Sequence, residues 1–122
     1  MNNIKGKGSV GIAIAFFSLK GMVSIPLEPC DYNLIFDDGI SINRVKVISC
    51  SYKTSYGVYT ANIRSMTATA TKTTKMFDKN SCEYVFIVTD ELQIYNIPAI
   101  DINSGRQISL NVYEQYKVNF FS

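Results

Sequence analysis

The triplet Asp37-Asp38-Gly39, set between two β-rich runs, constrains the fold more than any other feature. Aspartate side chains bond the backbone just ahead of them and glycine tolerates positive φ, so the triplet predicts a tight hairpin turn. It joins Tyr32 to Phe36 with a return strand from Ile42 to Ser49. Side chains alternate along a strand. Val45 and Val47 therefore point to one face, and Arg44, Lys46 and Ile48 to the other.

Around this hairpin the chain reads as an α/β protein. Residues 9 to 20 predict a mostly buried helix with Ser9 as its cap and Gly21 as its stop. Met22 to Leu27 is a short strand closed by Pro26 and Pro29. Gly57 to Ser65 alternates as another strand. Residues 66 to 76 are threonine-rich, lack apolar periodicity and predict a flexible loop. Glu83 to Thr89 is apolar enough to be a central strand, and Asp90-Glu91 turns it into Leu92 to Ile97, ended by Pro98. The last twenty residues show no clear pattern, but Val118, Phe120 and Phe121 form an apolar tail that needs a groove or a partner. With 122 residues and no linker, residues 1–122 read as a single domain.

Composition removes several chemistries. The chain contains no histidine, which excludes a histidine general base and histidine metal ligands. Cys30, Cys50 and Cys82 are odd in number and widely spaced, which argues against a disulfide framework or zinc site and for a reducing compartment. Lys5 and Lys7 precede the apolar run Val10 to Leu19, an order that imitates a secretory signal. Lys20 follows at once, no cleavage site is convincing, and the run falls short of the roughly 20 residues a membrane span needs. The expectation is an intracellular, cytoplasmic protein whose first helix packs under the sheet.

The net charge of +2 conceals an uneven distribution. Residues 39 to 77 contain Arg44, Lys46, Lys53, Arg64, Lys72 and Lys75 and no acidic residue. A basic segment of this kind suits a phosphate backbone, and equally suits a solvated face with no partner. Lys5, Lys7, Lys53, Arg64, Lys72 and Lys75 are the candidate DNA contacts, with Tyr52, Tyr56 and Tyr59 as possible helpers.

Several blocks carry a resemblance in order along the chain. They are Lys5-Gly-Lys-Gly-Ser-Val-Gly11, Val23-Ser-Ile-Pro-Leu27, Asp31-Tyr-Asn-Leu-Ile-Phe-Asp-Asp-Gly39, Arg44-Val-Lys-Val-Ile48, Tyr56-Gly-Val-Tyr59, Phe77-Asp-Lys-Asn-Ser-Cys-Glu-Tyr84 and Tyr95-Asn-Ile-Pro98. Together they resemble the small PD-(D/E)XK homing endonucleases associated with group I introns. The resemblance implies a restriction-endonuclease-like core, a mixed central sheet flanked by helices. It also implies double-stranded DNA as partner, a homodimer or homotetramer on a pseudo-palindromic site, and Mg²⁺ as cofactor if the protein is active. Symmetric sites are read by symmetric proteins, and the 118–121 tail is a candidate interface.

The departures from this family fall on its chemistry. The position of the catalytic aspartate holds Asn33, that of the strand glutamine Lys46, and that of the catalytic lysine Ile48. The acidic position on the first helix matches Ile12, which is expected to pack against Ile48. An amide binds Mg²⁺ weakly, and a lysine repels it. Asp31 lies two residues before Asn33 and Lys46 two before Ile48, so the pair could form a shifted site with Asp31 as a weak metal ligand.

Three functions therefore stand open: a DNA-binding endonuclease homologue with catalysis impaired or lost, an active Mg²⁺-dependent endonuclease with a rewired site, or a homo-oligomeric interaction module without DNA binding.

Overall fold

The hairpin turn is built by its own side chains. In the computed structural model, which describes residues 2–28, 30–66 and 74–120, Asp38 Oδ1 accepts the amides of Ile40 and Ser41, both at 2.8 Å. Asp37 Oδ1 accepts the Gly39 amide at 2.9 Å, and Gly39 sits at φ +90°, where any other L-residue is disfavoured. The turn joins β2 (Leu34–Asp37) to β3 (Ile42–Cys50).

These strands belong to a six-stranded mixed sheet. Its other members are β1 (Met22–Ser24), β7 (Tyr84–Thr89), β8 (Ile94–Pro98) and β10 (Lys117–Val118), in the order β1-β2-β3-β7-β8-β10. Among the described residues only β3 and β7 pair in parallel, with Lys46 opposite Val85 and Ile48 opposite Ile87. β7 is buried along nearly its whole length, because both of its faces are covered; a continuous apolar run is what such a strand requires. Among the described residues, four further strand pieces lie outside the sheet. β4 (Thr60–Asn62) pairs with β9 (Gln107–Ser109), and β5 (Ser65–Met66) pairs with β6 (Thr74–Lys75).

Strand alternation divides the interior into two cores. The face carrying Leu34, Phe36, Val45, Phe86 and Val88 packs under helix α1 (Asn2–Ser18) through Ala13, Phe16 and Phe17. Phe17 meets Phe36 at 4.9 Å and Phe86 at 5.5 Å between ring centres. The opposite face carries Val85, Ile87, Tyr95 and Ile97, and is covered by Ile63, Ile102, Ile108 and Leu110 from the β4–β9 ladder and the short 3-10 turns at Ala99–Asp101 and Leu110–Tyr116.

The sequence reading needs four corrections here. The helix begins at Asn2 rather than residue 9, so Ser9 is inside it; its hydroxyl is bonded to that of Ser49 at 2.6 Å and caps nothing. The expected strand from Gly57 to Ser65 is only Thr60–Asn62, because Thr54 to Val58 is a turn with Gly57 at φ +79°. Residues 65–66 and 74–75 form a ladder rather than loop, while 67–73, with the rest of the threonine-rich stretch and Lys72, lie outside the described residues. The apolar tail is internal: β10 pairs with β8, and Val118 and Phe120 pack against the α1-side core. Both stay partly exposed, and Phe121 lies outside the described residues. No helix among the described residues is long and apolar enough to cross a membrane.

Candidate functional site

The end of the hairpin opposite the turn gathers the residues singled out by sequence. Asn33 stands just before β2, and its amide donates to the Val45 carbonyl at 2.8 Å. Its side-chain Oδ1 accepts the Val47 amide at 2.7 Å. Asn33 thus extends the ladder with its own side chain and brackets Lys46 on the neighbouring strand. The amide oxygen expected to face a metal is bonded to the backbone instead.

Lys46 and Ile48 occupy the face of β3 turned away from α1, as alternation requires. Ile48 packs against the second core. Lys46 is half-buried, and burial pushes its ammonium below the ordinary lysine range; the neighbouring Lys75 ammonium acts in the same direction, while Cys82 and Asp31 oppose it. Cys82 is buried, which raises its thiol in turn. Asp31 bonds the Lys75 ammonium at 3.1 Å. Segments distant in sequence therefore converge on one spot: Asp31 before β2, Lys46 on β3, Lys75 on β6 and Cys82 before β7. The sequence pattern joined Asp31 to Lys46 but gave no signal for Lys75 or Cys82.

Ile12 is elsewhere. It packs with the α1-side core and lines a cavity of about 180 Å³ between α1 and the carboxyl ends of β3 and β7, together with Ser49, Cys50, Thr89 and Asp90. The expected packing of Ile12 on Ile48 is corrected: the two side chains belong to different cores.

A divalent cation does not fit this donor set. Mg²⁺ requires hard, anionic oxygen ligands. Asp31 supplies one carboxylate and is bonded to an ammonium, Asn33 Oδ1 is committed to Val47, and Lys46 and Ile48 offer no oxygen. Among the described residues no group of three or more acidic, cysteine or histidine side chains is placed to hold a metal ion.

Three of the six cations in the basic middle of the chain are paired with acids that the fold brings to them. Glu83 takes Arg44 in a forked pair, Oε2 to Nη2 at 2.6 Å and Oε1 to Nε at 3.1 Å, and also accepts the Arg44 amide at 2.6 Å. Glu91 pairs with Lys53 at 2.6 Å, and Asp31 with Lys75. Arg64 is exposed, and among the described residues its guanidinium bonds the amide oxygen of Asn62, at 3.3 Å. Lys53 also lies 4.7 Å from the centre of the Tyr59 ring. Tyr59 itself is buried, with its hydroxyl on Asp90 and Glu91, so it is not a surface contact. Tyr52 and Tyr56 are exposed. The side chains of Lys5 and Lys7 lie outside the described residues.

A helix packs on one side of a mixed sheet, and the second strand of its hairpin carries Lys46 and Ile48 beside Asn33. The family model described as PD-(D/E)XK endonuclease matches residues 2–119. The chain belongs to the PD-(D/E)XK endonuclease family. Its fold is similar to that of a bacterial homing endonuclease, I-Ssp6803I, with a TM-score of 0.71, 22% sequence identity, and coverage of 88% of this chain and 76% of that one. A second solved structure, MepB, gives a TM-score of 0.48 at 11% identity, over 93% of this chain and 97% of that one. No curated protein matches the sequence. The PD-(D/E)XK fold, a restriction-endonuclease-like α/β architecture, is thus established, and the family usually works with a divalent metal.

Proposed function

We propose that this protein is a double-stranded-DNA-binding homologue of the homing endonucleases associated with group I introns, with phosphodiester hydrolysis impaired or lost. The observation that carries this reading is the state of the family's catalytic positions. The hairpin that should present them is intact, yet Asn33 is bonded to backbone, a half-buried ammonium stands at Lys46, and Ile48 is part of the core. Two cations and one paired carboxylate attract phosphate but repel the metal that would cleave it. The protein acts inside the cell as a homodimer or homotetramer, since a chain this short cannot span a long symmetric site alone.

Of the DNA-contact candidates, Arg64 is the strongest, because it is exposed and carries no acidic partner among the described residues. Lys53 and Lys75 reach a phosphate only in exchange for Glu91 and Asp31. Lys5, Lys7 and Lys72 remain candidates from sequence alone.

A gel shift and a cleavage assay on one panel of long duplexes, with and without Mg²⁺, test the reading. Salt-sensitive binding without cleavage is the expected result. Mg²⁺-dependent cleavage that is lost in Asp31→Asn would establish the rewired site instead. Absence of duplex binding at low salt would leave a protein-interaction module.

A further inference from the structure

Helix α1 does not seal the sheet at the carboxyl ends of β3 and β7. The cavity of about 180 Å³ left there is walled by Gly8, Ser9 and Ile12 of the helix and by Ser49 and Val88 of the strands, with Leu92 at its rim. In open α/β sheets, ligands bind in the crevice beyond the carboxyl ends of the parallel strands, and β3 and β7 are such a pair. An apolar cavity of about 150 Å³ holds a benzene ring, so this one has room for a single six-membered ring and its substituents. None of its lining residues is basic, which disfavours a phosphate or carboxylate ligand. Ile12 and Val88 offer apolar surface from helix and sheet. Ser9 is buried, and its hydroxyl is bonded to that of Ser49 at 2.6 Å with either oxygen able to donate. A hydroxyl donates one hydrogen bond and accepts two, so Ser9 keeps the capacity to meet a polar ring edge.

The rim carries a second, independent observation. Leu92 sits at φ +61°, a left-handed conformation that glycine or asparagine adopts readily and leucine does not. The turn imposes it: the Leu92 amide donates to the Thr89 carbonyl at 2.9 Å, and the Gln93 amide to Thr89 Oγ1 at 3.0 Å. The leucine gains little packing in return, because it is 55% exposed. Backbone strain of this kind gathers at ligand sites, and an apolar side chain held out beside a cavity is suited to fill the gap that an extruded base leaves in a stack.

We propose that this cavity binds one pyrimidine base, with its ring between Ile12 and Val88 and its polar edge toward Ser9. Extruded bases are held in this manner, between apolar side chains with hydrogen bonds to the edge. The base comes either from a duplex, with Leu92 taking its place in the stack, or from a free nucleoside. The duplex source rests on the DNA-binding reading above. No covalent bond changes; binding exchanges stacking and pairing in the duplex for contacts in the cavity.

Fluorine NMR reads both sources. The full-length protein is mixed with a fluorinated deoxyuridine, and separately with a long duplex carrying one such residue, while gel shift follows duplex binding in parallel. Both fluorine resonances are expected to move. Gly8→Leu should abolish both movements at an unchanged melting temperature, because a Cβ on Gly8 meets nothing within 4 Å and the longer side chain then fills the cavity. Ser51→Phe, at the exposed mouth, makes the same test should Gly8→Leu fail to fold. Leu92→Gly relieves the strained φ, and should keep the nucleoside signal but lose the duplex signal. Leu27→Ala, exposed and not part of the cavity, should keep both. Unlabelled thymidine should displace the fluorinated nucleoside and guanosine should not. Duplex binding with neither resonance moved, movement that survives the cavity-filling variants, or equal displacement by guanosine would overturn the inference and leave the DNA-binding reading standing. A nucleoside signal with an unmoved duplex resonance would keep the base site and overturn extrusion as its source. A nucleoside signal without any duplex binding would keep the base site and overturn the DNA-binding reading. Neither signal and no duplex binding would overturn both.

Discussion

Asn33 Oδ1 accepts the Val47 amide at 2.7 Å, so the side chain that we propose stands at the family's aspartate position is engaged by the sheet. A carboxylate accepts the same hydrogen bond at least as well. Asn33→Asp should therefore leave thermal stability nearly unchanged and, by itself, confer no Mg²⁺-dependent nicking. The triple change Asn33→Asp, Lys46→Gln and Ile48→Lys should confer it, because groups that act as a unit fail when any one is missing. A nicking assay on the single and triple variants checks this.

Ile48→Lys alone should destabilise the protein by about 2 kcal/mol or more, since Ile48 packs against the second core and its replacement brings an unpaired charge there. Adding Ile12→Glu should not restore the loss, because Ile12 belongs to the other core. Urea unfolding of the single and double variants decides the point: recovery of stability in the double would contradict the placement of Ile12.

Gly21 cannot accept a side chain. A Cβ there would stand 2.2 Å from the Asp37 carbonyl oxygen and 2.8 Å from the Phe36 ring. Gly21→Ala should cost about 1–3 kcal/mol, by forcing α1 away from the β2 edge. Its melting temperature should fall well below that of Gly8→Ala, since a Cβ on Gly8 meets nothing within 4 Å.

The Arg44–Glu83 fork holds the Glu83 carboxyl below the ordinary glutamate pKa of 4.5, chiefly through the guanidinium hydrogen bond. A depressed carboxyl stabilises the fold fully above its unfolded pKa and ceases to do so as pH falls through its folded value. Each side chain is about a third exposed, so solvent screening limits the pair to roughly 1 kcal/mol. Glu83→Gln should remove that much stability at pH 7 and much less once the pH is below the folded pKa; equal losses at both pH values would contradict it.

Much of this architecture is legible in the sequence because it is local. The Asp37-Asp38-Gly39 turn, the β3 alternation and the apolar run of β7 each follow from neighbouring residues, and the family blocks fix their order. What escaped is non-local. Nothing near Arg44, Lys53 or Lys75 shows that Glu83, Glu91 and Asp31 fold onto them, so charge counted by segment overstated the basic surface. Ser9 reads as a cap until Ser49 is seen across from it, and the Val118–Phe120 tail reads as sticky until β8 and the α1-side core accept it. Ile12 and Ile48 were joined by family logic, whereas strand alternation and α1 place them in separate cores.

The central claim is that the scaffold binds duplex DNA through its remaining cations without hydrolysing it, and the salt dependence of binding tests it most directly. Log K against log salt should fall linearly for the parent protein on a long duplex. Arg64→Gln should reduce that slope by about one, whereas Lys53→Gln, already paired with Glu91, should change it less. The bound duplex should stay uncut with Mg²⁺ present. No binding at low salt, or Mg²⁺-dependent cleavage that survives both Asn33→Ala and Lys46→Ala, would contradict the account.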